Sequence, residues 1–292
     1  MRVLIVGGTG VIGSKLVRYF KEKNIDIKFT YLKNHLPIDG GYYLDITEKT
    51  PTVKFISDMK PDIIVHTTAI TNVDLCEINR DLADLVNVNG IKNVIEGATI
   101  SRSKIIYIST SAVFDGRKKE YEENECVSPL SHYGVTKAKG EEYVKTSGLP
   151  YLILRTDQPY CWIEKWQHTN SVLRVLETLG SQKTLNEVVD WHNTPTYVPD
   201  FVRVVFELCD KADGIFHVVG SDFINRYEWA LETARIFGLN QELIKPINSD
   251  ELNLPAKRSN VKLVNHKLLQ KFGISMSGVE EGLKNMNSIR KT

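Results

Sequence analysis

Five short runs of the chain are apolar without alternation: RVLIVG (2–7), IKFTYL (27–32), DIIVHT (62–67), KIIYIST (104–110) and YLILRT (151–156). Strands covered on both faces read this way, as in a parallel sheet packed between helices. A shorter run, YYLD (42–45), follows the second. Helical patterns lie between them. VIGSKLVRYFKEK (11–23) puts Ile12, Leu16, Val17 and Phe20 on one stripe, and PTVKFISDMK (51–60) opens on a proline suited to a first helical turn. From about Asp74 to Ser101 the pattern is mostly helical, and HYGVTKAKGEEYVKTS (132–147) ends before Gly148. This alternation predicts an α/β fold, a Rossmann-type doubly wound parallel sheet.

The rhythm loosens after Arg155. Residues 157–200 carry aromatic and proline-rich loops, PYCWIEKW and DWHNTPTYVPD, around one helix near 170–180. GIFHVVG (214–220) reads as another buried strand, while RYEWALETARIFG and about 276–289 read as peripheral helices. The expected division is a dinucleotide-binding domain at 1–156 and a smaller substrate-binding lobe at 157–292, with some later segments returning to the first. A cleft would lie between the two.

Composition narrows the function classes. With 292 residues the chain can bury a large core. Its 37 Lys+Arg against 36 Asp+Glu argue against a nucleic-acid binder, which would show a basic excess. No apolar run reaches the roughly eighteen residues of a membrane span, and the opening MRVLIVGGTG reads as a strand rather than a leader. Cys76, Cys126, Cys161 and Cys209 are far apart and include no C-x-x-C, so no metal site or disulfide framework is expected. They read as structural thiols of a reducing, cytoplasmic compartment.

The chemistry begins at GGTGVIG, directly after the first strand. Gly7 permits a tight exit from the strand, Gly10 lets backbone approach a pyrophosphate, and Gly13 lets the helix pack close to the sheet. The amides of Val11 and Ile12, with Thr9 before them, would face the phosphates at the positive end of the helix. The second strand ends in FTYLKNH without an acid. An acid there would hold a ribose hydroxyl and repel a 2′-phosphate, whereas Thr30, Lys33 and Asn34 suit a phosphate, so NADP(H) is favoured over NAD(H). Lys33 reads equally as a solvated surface lysine. Asp45, with Ile46 beside it, is placed to hold an adenine.

Ser109-Thr110-Ser111 ends the fifth strand, at the edge where such folds bind ligands. Tyr133 and Lys137 follow at i and i+4 on one helix face. For neutral-pH acid–base work a phenol needs its pKa, near ~10, shifted by roughly three units, or about 4 kcal/mol. An ammonium at about 4 Å, at an effective dielectric near 20, supplies that much. Thr110 would polarise a ketone from the other side.

GGTGVIG, ISTSAVFDG and YGVTK, in this order, resemble the extended short-chain dehydrogenase/reductase superfamily, and within it the dTDP-4-dehydrorhamnose reductase family. HTTAITNVDLCE (66–77), SPLSHYGVTKAKGE, DWHNTPTYVPD (190–200) and PAKRSN (255–260) extend the resemblance along most of the chain. It implies that Tyr133 is the proton donor and that Lys137 lowers its pKa and holds the nicotinamide ribose. Thr110 would bind the ketone oxygen. Thr68, Ala69, Thr71 and Val73 would line the mouth shared by cofactor and substrate, with Ser111, Gln158 and Lys257 on the sugar side. The implied partner is a nucleotide sugar, with a homodimer compatible.

There are departures. Ser111-Ala112 stand where the family has Asp-Tyr, and Asp157-Gln158 where it has Ser-Trp. Ser111-Ala112 also lack the Asp-Glu pair with which related dehydratases work, so dehydration is disfavoured. A nucleotide-sugar epimerase stays open, disfavoured by the missing acid for NAD. A third reading is a non-catalytic, NADP-binding regulatory subunit resembling the methionine adenosyltransferase beta subunit, which keeps the same Tyr and Lys. Trp162, Trp166, Trp191 and His192 read as lid or core packing, His66 as a core histidine, and Asp74 and Glu77 as acids placed for the helix dipole.

Overall fold

The continuous apolar runs become buried strands: in β1 (Arg2–Val6), Val3, Leu4, Ile5 and Val6 are all fully buried. A computed structural model describes residues 1–289, leaving the last three of the expected lobe outside the described residues. The strands β2 (Asp26–Tyr31), β3 (Gly41–Tyr43), β4 (Ile63–His66), β5 (Lys104–Thr110) and β6 (Tyr151–Thr156) join β1 in one sheet, with Gly214–His217 at its edge. The order is Gly214–His217, β6, β5, β4, β1, β2, β3, with every pairing parallel.

The chain winds outward from β1 to β3 and then restarts on β1's other side at β4. That reversal opens a crevice at the strands' carboxyl ends. Two hydrophobic layers sandwich the sheet. Leu16, Val17 and Phe20 of α1 (Val11–Glu22) meet Phe201, Val204 and Val205 of the helix Val198–Leu208 on one face. The other face carries Ile56 of α2 (Lys49–Met59), Ile91, Val94 and Ala98 of Gly90–Ser101, and Val144 of His132–Thr146.

The stretch expected as mostly helical from about residue 74 is broken. It runs Val73–Ile78, Arg80–Asp84, a π-helical turn Leu85–Asn89, then Gly90–Ser101. Two asparagines cause the first breaks. Asn72 and Asn79 cap the short helices by accepting from the amides of Leu75 and Leu82.

Beyond β6 the chain builds short strand pairs and the helices Ser171–Gly180, Arg226–Phe237 and Val279–Ser288 around Tyr160, Tyr197, Trp229, Leu283 and Met286. Between these it returns to the sheet: Val198–Leu208 packs beside α1, and Gly214–His217 pairs with β6. Among the described residues all four cysteines are free, and no helix is long and apolar enough to cross a membrane.

Candidate active site

The glycine turn sits at the crevice. Gly7 has φ +86°, and a Cβ there would lie 2.4 Å from Thr68 Oγ1. A Cβ on Gly13 would lie 2.2 Å from the Gly7 carbonyl oxygen, so a side chain at either position would fill the cradle. Gly10 starts α1 with no side-chain cap, leaving the first-turn amides around Val11 and Ile12 without a capping partner. Bare amides at a positive helix end, in a turn shaped by missing side chains, fit a dinucleotide pyrophosphate.

Around the turn the expected cofactor residues divide. Thr30 is buried and its hydroxyl accepts the Gly7 amide at 3.1 Å. Thr30 therefore shapes the turn from below. Lys33 and Asn34 lie exposed just past β2. Asp45 is half-buried, and its Oδ1 accepts from the amide and hydroxyl of Thr47. Ile46 is buried under Gly90–Ser101, its carbonyl held by Asn93. The Thr9 carbonyl accepts from Trp166 Nε1 and Gln167 Nε2. Trp166 thus packs on the glycine turn, while Trp162 donates to the Met286 carbonyl inside the second lobe.

Thr68 and Ala69 are half-buried beyond β4, and Thr71 is exposed. This loop is held by Asn87, which sequence reasoning missed. Asn87 is buried in the π-helical turn, accepts from the Ile70 amide at 2.8 Å, and donates to the Ile70 carbonyl and to Thr136 Oγ1. Thr136 in turn donates to the Tyr133 carbonyl. One amide therefore ties the loop after β4 to the helix that carries Tyr133. The signal available in the sequence was a polar residue on an otherwise buried helical face.

Thr110, Tyr133 and Lys137 converge at the end of β5. A Cβ on Gly134 would lie 2.1 Å from the Ala112 carbonyl oxygen, so the tyrosine helix starts hard against the turn after Thr110. Glu77 holds that start by accepting the His132 amide at 2.9 Å, more than the dipole role expected of it. Tyr133 is buried among Cys76, Ala83, Ile70, Val73 and Ala112. Its phenol faces the Thr110 hydroxyl, which lowers its pKa, but burial outweighs this and raises the pKa well above the ordinary value.

Lys137, the lysine expected to tune that phenol, lies one turn further along the helix. Lys137 shares the helix face but is itself buried, and its Nζ donates to the Ile108 carbonyl at 2.7 Å. Burial lowers its pKa to about 7, with Glu141 opposing. The ammonium is drawn to a strand carbonyl because little else in that interior can solvate it. Behind it, Glu141 takes Arg155 through two hydrogen bonds, 2.9 and 2.7 Å, and accepts from Ser109 at 2.6 Å. His66 is a buried core residue, as expected, with its pKa lowered to about 3 by burial.

On the sugar side, Ser111 is buried and its hydroxyl donates to Asp157 Oδ1 at 2.8 Å. Asp157 Oδ2 accepts the Thr194 amide at 2.8 Å. Gln158 adopts a positive φ of 38° and accepts from Arg226 at 2.9 Å. Burial, with Arg174 and Arg258 nearby, lowers the Arg226 pKa to about 10, while Glu187 and Asp157 oppose. Lys257 is exposed, and its neighbour Arg258 turns inward instead. Arg258 bonds Asp74 at 2.7 Å and lies over the Trp191 ring, with the Ala256 amide also on Asp74. Asp74 thus ties the start of Val73–Ile78 to the loop at 256–258. Arg226 carried no sequence signal, because its partners are distant in the chain.

The chain as a whole is similar to known proteins. A family model described as RmlD substrate binding domain matches residues 1–290. A dTDP-4-dehydrorhamnose reductase from Aggregatibacter actinomycetemcomitans is 30% identical, covering 98% of both chains. The methionine adenosyltransferase 2 subunit beta of Xenopus tropicalis is 28% identical, covering 97% of this chain and 87% of its own length. Among solved structures, a dTDP-4-dehydrorhamnose reductase from Bacillus anthracis, in complex with NADP, superposes with a TM-score of 0.89 at 27% identity over 99% of each chain.

Proposed function

The chain belongs to the RmlD substrate binding domain family, that of the dTDP-4-dehydrorhamnose reductases, and on that footing we propose that it reduces the 4-keto group of a nucleotide-linked 4-keto-6-deoxy sugar with NADPH. It is an NAD(P)-dependent oxidoreductase, and NADP(H) is its cofactor. The substrate we assign is dTDP-6-deoxy-L-lyxo-4-hexulose, reduced to dTDP-L-rhamnose.

One observation carries the reading: Thr110 and Tyr133 face each other at the carboxyl edge of β5, across the crevice from the glycine turn. Bound NADPH supplies the hydride. Tyr133, kept protonated by burial, donates the phenol proton to the ketone oxygen, and the Thr110 hydroxyl holds that oxygen. Lys137 holds the nicotinamide ribose, and Gly7, Gly10 and Gly13 admit the pyrophosphate. Arg226, with Arg174 and Arg258 near it, offers a guanidinium to the diphosphate of the nucleotide sugar, the other two being paired with Glu187 and Asp74.

The test is loss of NADPH absorbance on mixing the purified protein with the keto-sugar. The identity to a methionine adenosyltransferase beta subunit favours a second reading, a regulatory NADP-binding subunit. NADPH binding without turnover of the keto-sugar, together with co-purification of a methionine adenosyltransferase, would decide for it.

A further inference from the structure

Ile105, Tyr107 and Ser109 line one face of β5, and two of them meet the tyrosine helix. Ser109 reaches Glu141, while Tyr107 lies under Lys137, whose Nζ is 4.0 Å from its ring centroid. We propose that Tyr107 is a positioning residue for the reaction, holding the Lys137 ammonium through its aromatic face. The assignment of Lys137 to the cofactor ribose, on which this rests, belongs to the function proposed above.

Three observations carry it. First, the ammonium and the ring are both buried, at 3% and 0% exposure, and a cation over an aromatic face is worth most where water is excluded. Second, the Tyr107 hydroxyl makes no hydrogen bond among the described residues, so the ring is what meets Lys137. Third, the helix is cut away to admit the ring: a Cβ on Gly140 would lie 2.1 Å from the Tyr107 oxygen.

The charged and titratable groups around Lys137 are few. Glu141 on its own helix favours the ammonium but is engaged by Arg155 of β6 and Ser109. From β4, His66 stacks nearly parallel to Tyr107, at 5.8 Å and 13°, and is neutral near pH 7. Tyr133, one turn earlier, is protonated. The Ile108 carbonyl and the Tyr107 ring are thus the direct contacts that solvate the charge.

The experiment titrates Lys137 by NMR in the full chain labelled with 13Cε-lysine, identifying its signal by its absence in Lys137→Met. Tyr107→Phe removes only the hydroxyl, and tetrafluorophenylalanine at that position keeps the shape while draining the ring face of negative charge. We expect Tyr107→Phe to titrate with the wild type, and the fluorinated chain to titrate lower by about one pH unit. NADPH affinity at pH 7 should fall several-fold in the fluorinated chain, but not further when Lys137→Met is already present. Equal titration of the fluorinated and Tyr107→Phe chains would overturn the proposal, as would an affinity loss that persists in Lys137→Met. The titration needs no cofactor. Failure of the wild type to bind NADPH would therefore count against the cofactor assignment and leave the lysine result to judge Tyr107.

Discussion

Asp157 accepts a hydrogen bond from Ser111 at 2.8 Å through one carboxylate oxygen and from the Thr194 amide at 2.8 Å through the other. A buried carboxylate thereby links the turn after Thr110 to the loop that carries Thr194. Burial raises its pKa from 3.8 to about 6. Between about pH 4 and 6 the folded chain therefore binds this proton more tightly than the unfolded chain. Stability from this group is present below that window and is lost as pH rises through it, by about 3 kcal/mol in all. Asp157→Asn can keep both bonds, its oxygen accepting from Thr194 and its amide donating to Ser111. Urea unfolding should show a flatter pH dependence over that window and greater stability at pH 7. An unchanged slope would mean that Asp157 does not set it.

Tyr133→Phe should lower kcat by about 10²- to 10⁴-fold, the usual scale for losing a general acid, while NADPH still binds within about twofold. Thr110→Val should cost about 10²- to 10³-fold in kcat, as for a lost donor to a developing oxyanion. Steady-state kinetics beside a fluorescence titration with NADPH separates the two effects. A Tyr133→Phe chain with near wild-type kcat would remove Tyr133 from the chemistry.

The Glu141–Arg155 pair is fully buried, with both side chains at 2% exposure and two hydrogen bonds between them. Removing one partner strands a charge. Glu141→Ala should lower the unfolding free energy by about 3–5 kcal/mol, measured by denaturant melts. A loss under about 1 kcal/mol would mean that Arg155 finds another partner.

Gly13→Ala places a methyl 2.2 Å from the Gly7 carbonyl oxygen, a backbone atom that cannot step aside. Calorimetry should show NADPH binding weakened by at least about tenfold, with a stability loss of about 1–3 kcal/mol. Retained affinity would place the cofactor elsewhere.

Arg226→Ala should raise KM for the nucleotide sugar by roughly 10- to 100-fold, the worth of a hydrogen bond to a charged group, and leave NADPH affinity alone. An unchanged KM would remove Arg226 from the substrate wall.

The sheet was legible because strands buried on both faces are largely continuous apolar runs, as β1, β4, β5 and β6 are, their buried polar residues being His66, Ser109, Arg155 and Thr156. The glycine turn was legible because close backbone approach excludes every other residue at Gly7 and Gly13. The tyrosine and lysine were found by helical spacing, but spacing gives a shared face and not the direction of a long side chain. Lys137 therefore turned to Ile108 and Tyr107, where burial offered an acceptor and a ring. Asn87 showed only as a polar residue on a buried helical face, and Arg226 was hidden because its partner Gln158 lies 68 positions away. That the Thr30 hydroxyl accepts from the Gly7 amide was not legible, because spacing does not give a hydroxyl's direction. Arg258 rather than Lys257 faces inward because Asp74 accepts its hydrogen bond.

The most direct test of the account follows the hydride itself. NADPH deuterated at the transferable C4 position is mixed with dTDP-6-deoxy-L-lyxo-4-hexulose and the protein, and the sugar product is read by NMR. Deuterium is expected at C4 of the sugar with matching loss of reduced cofactor, and transfer about 10²- to 10⁴-fold slower with Tyr133→Phe. Bound but unreacted NADPH, with no deuterium in the sugar, would contradict the account.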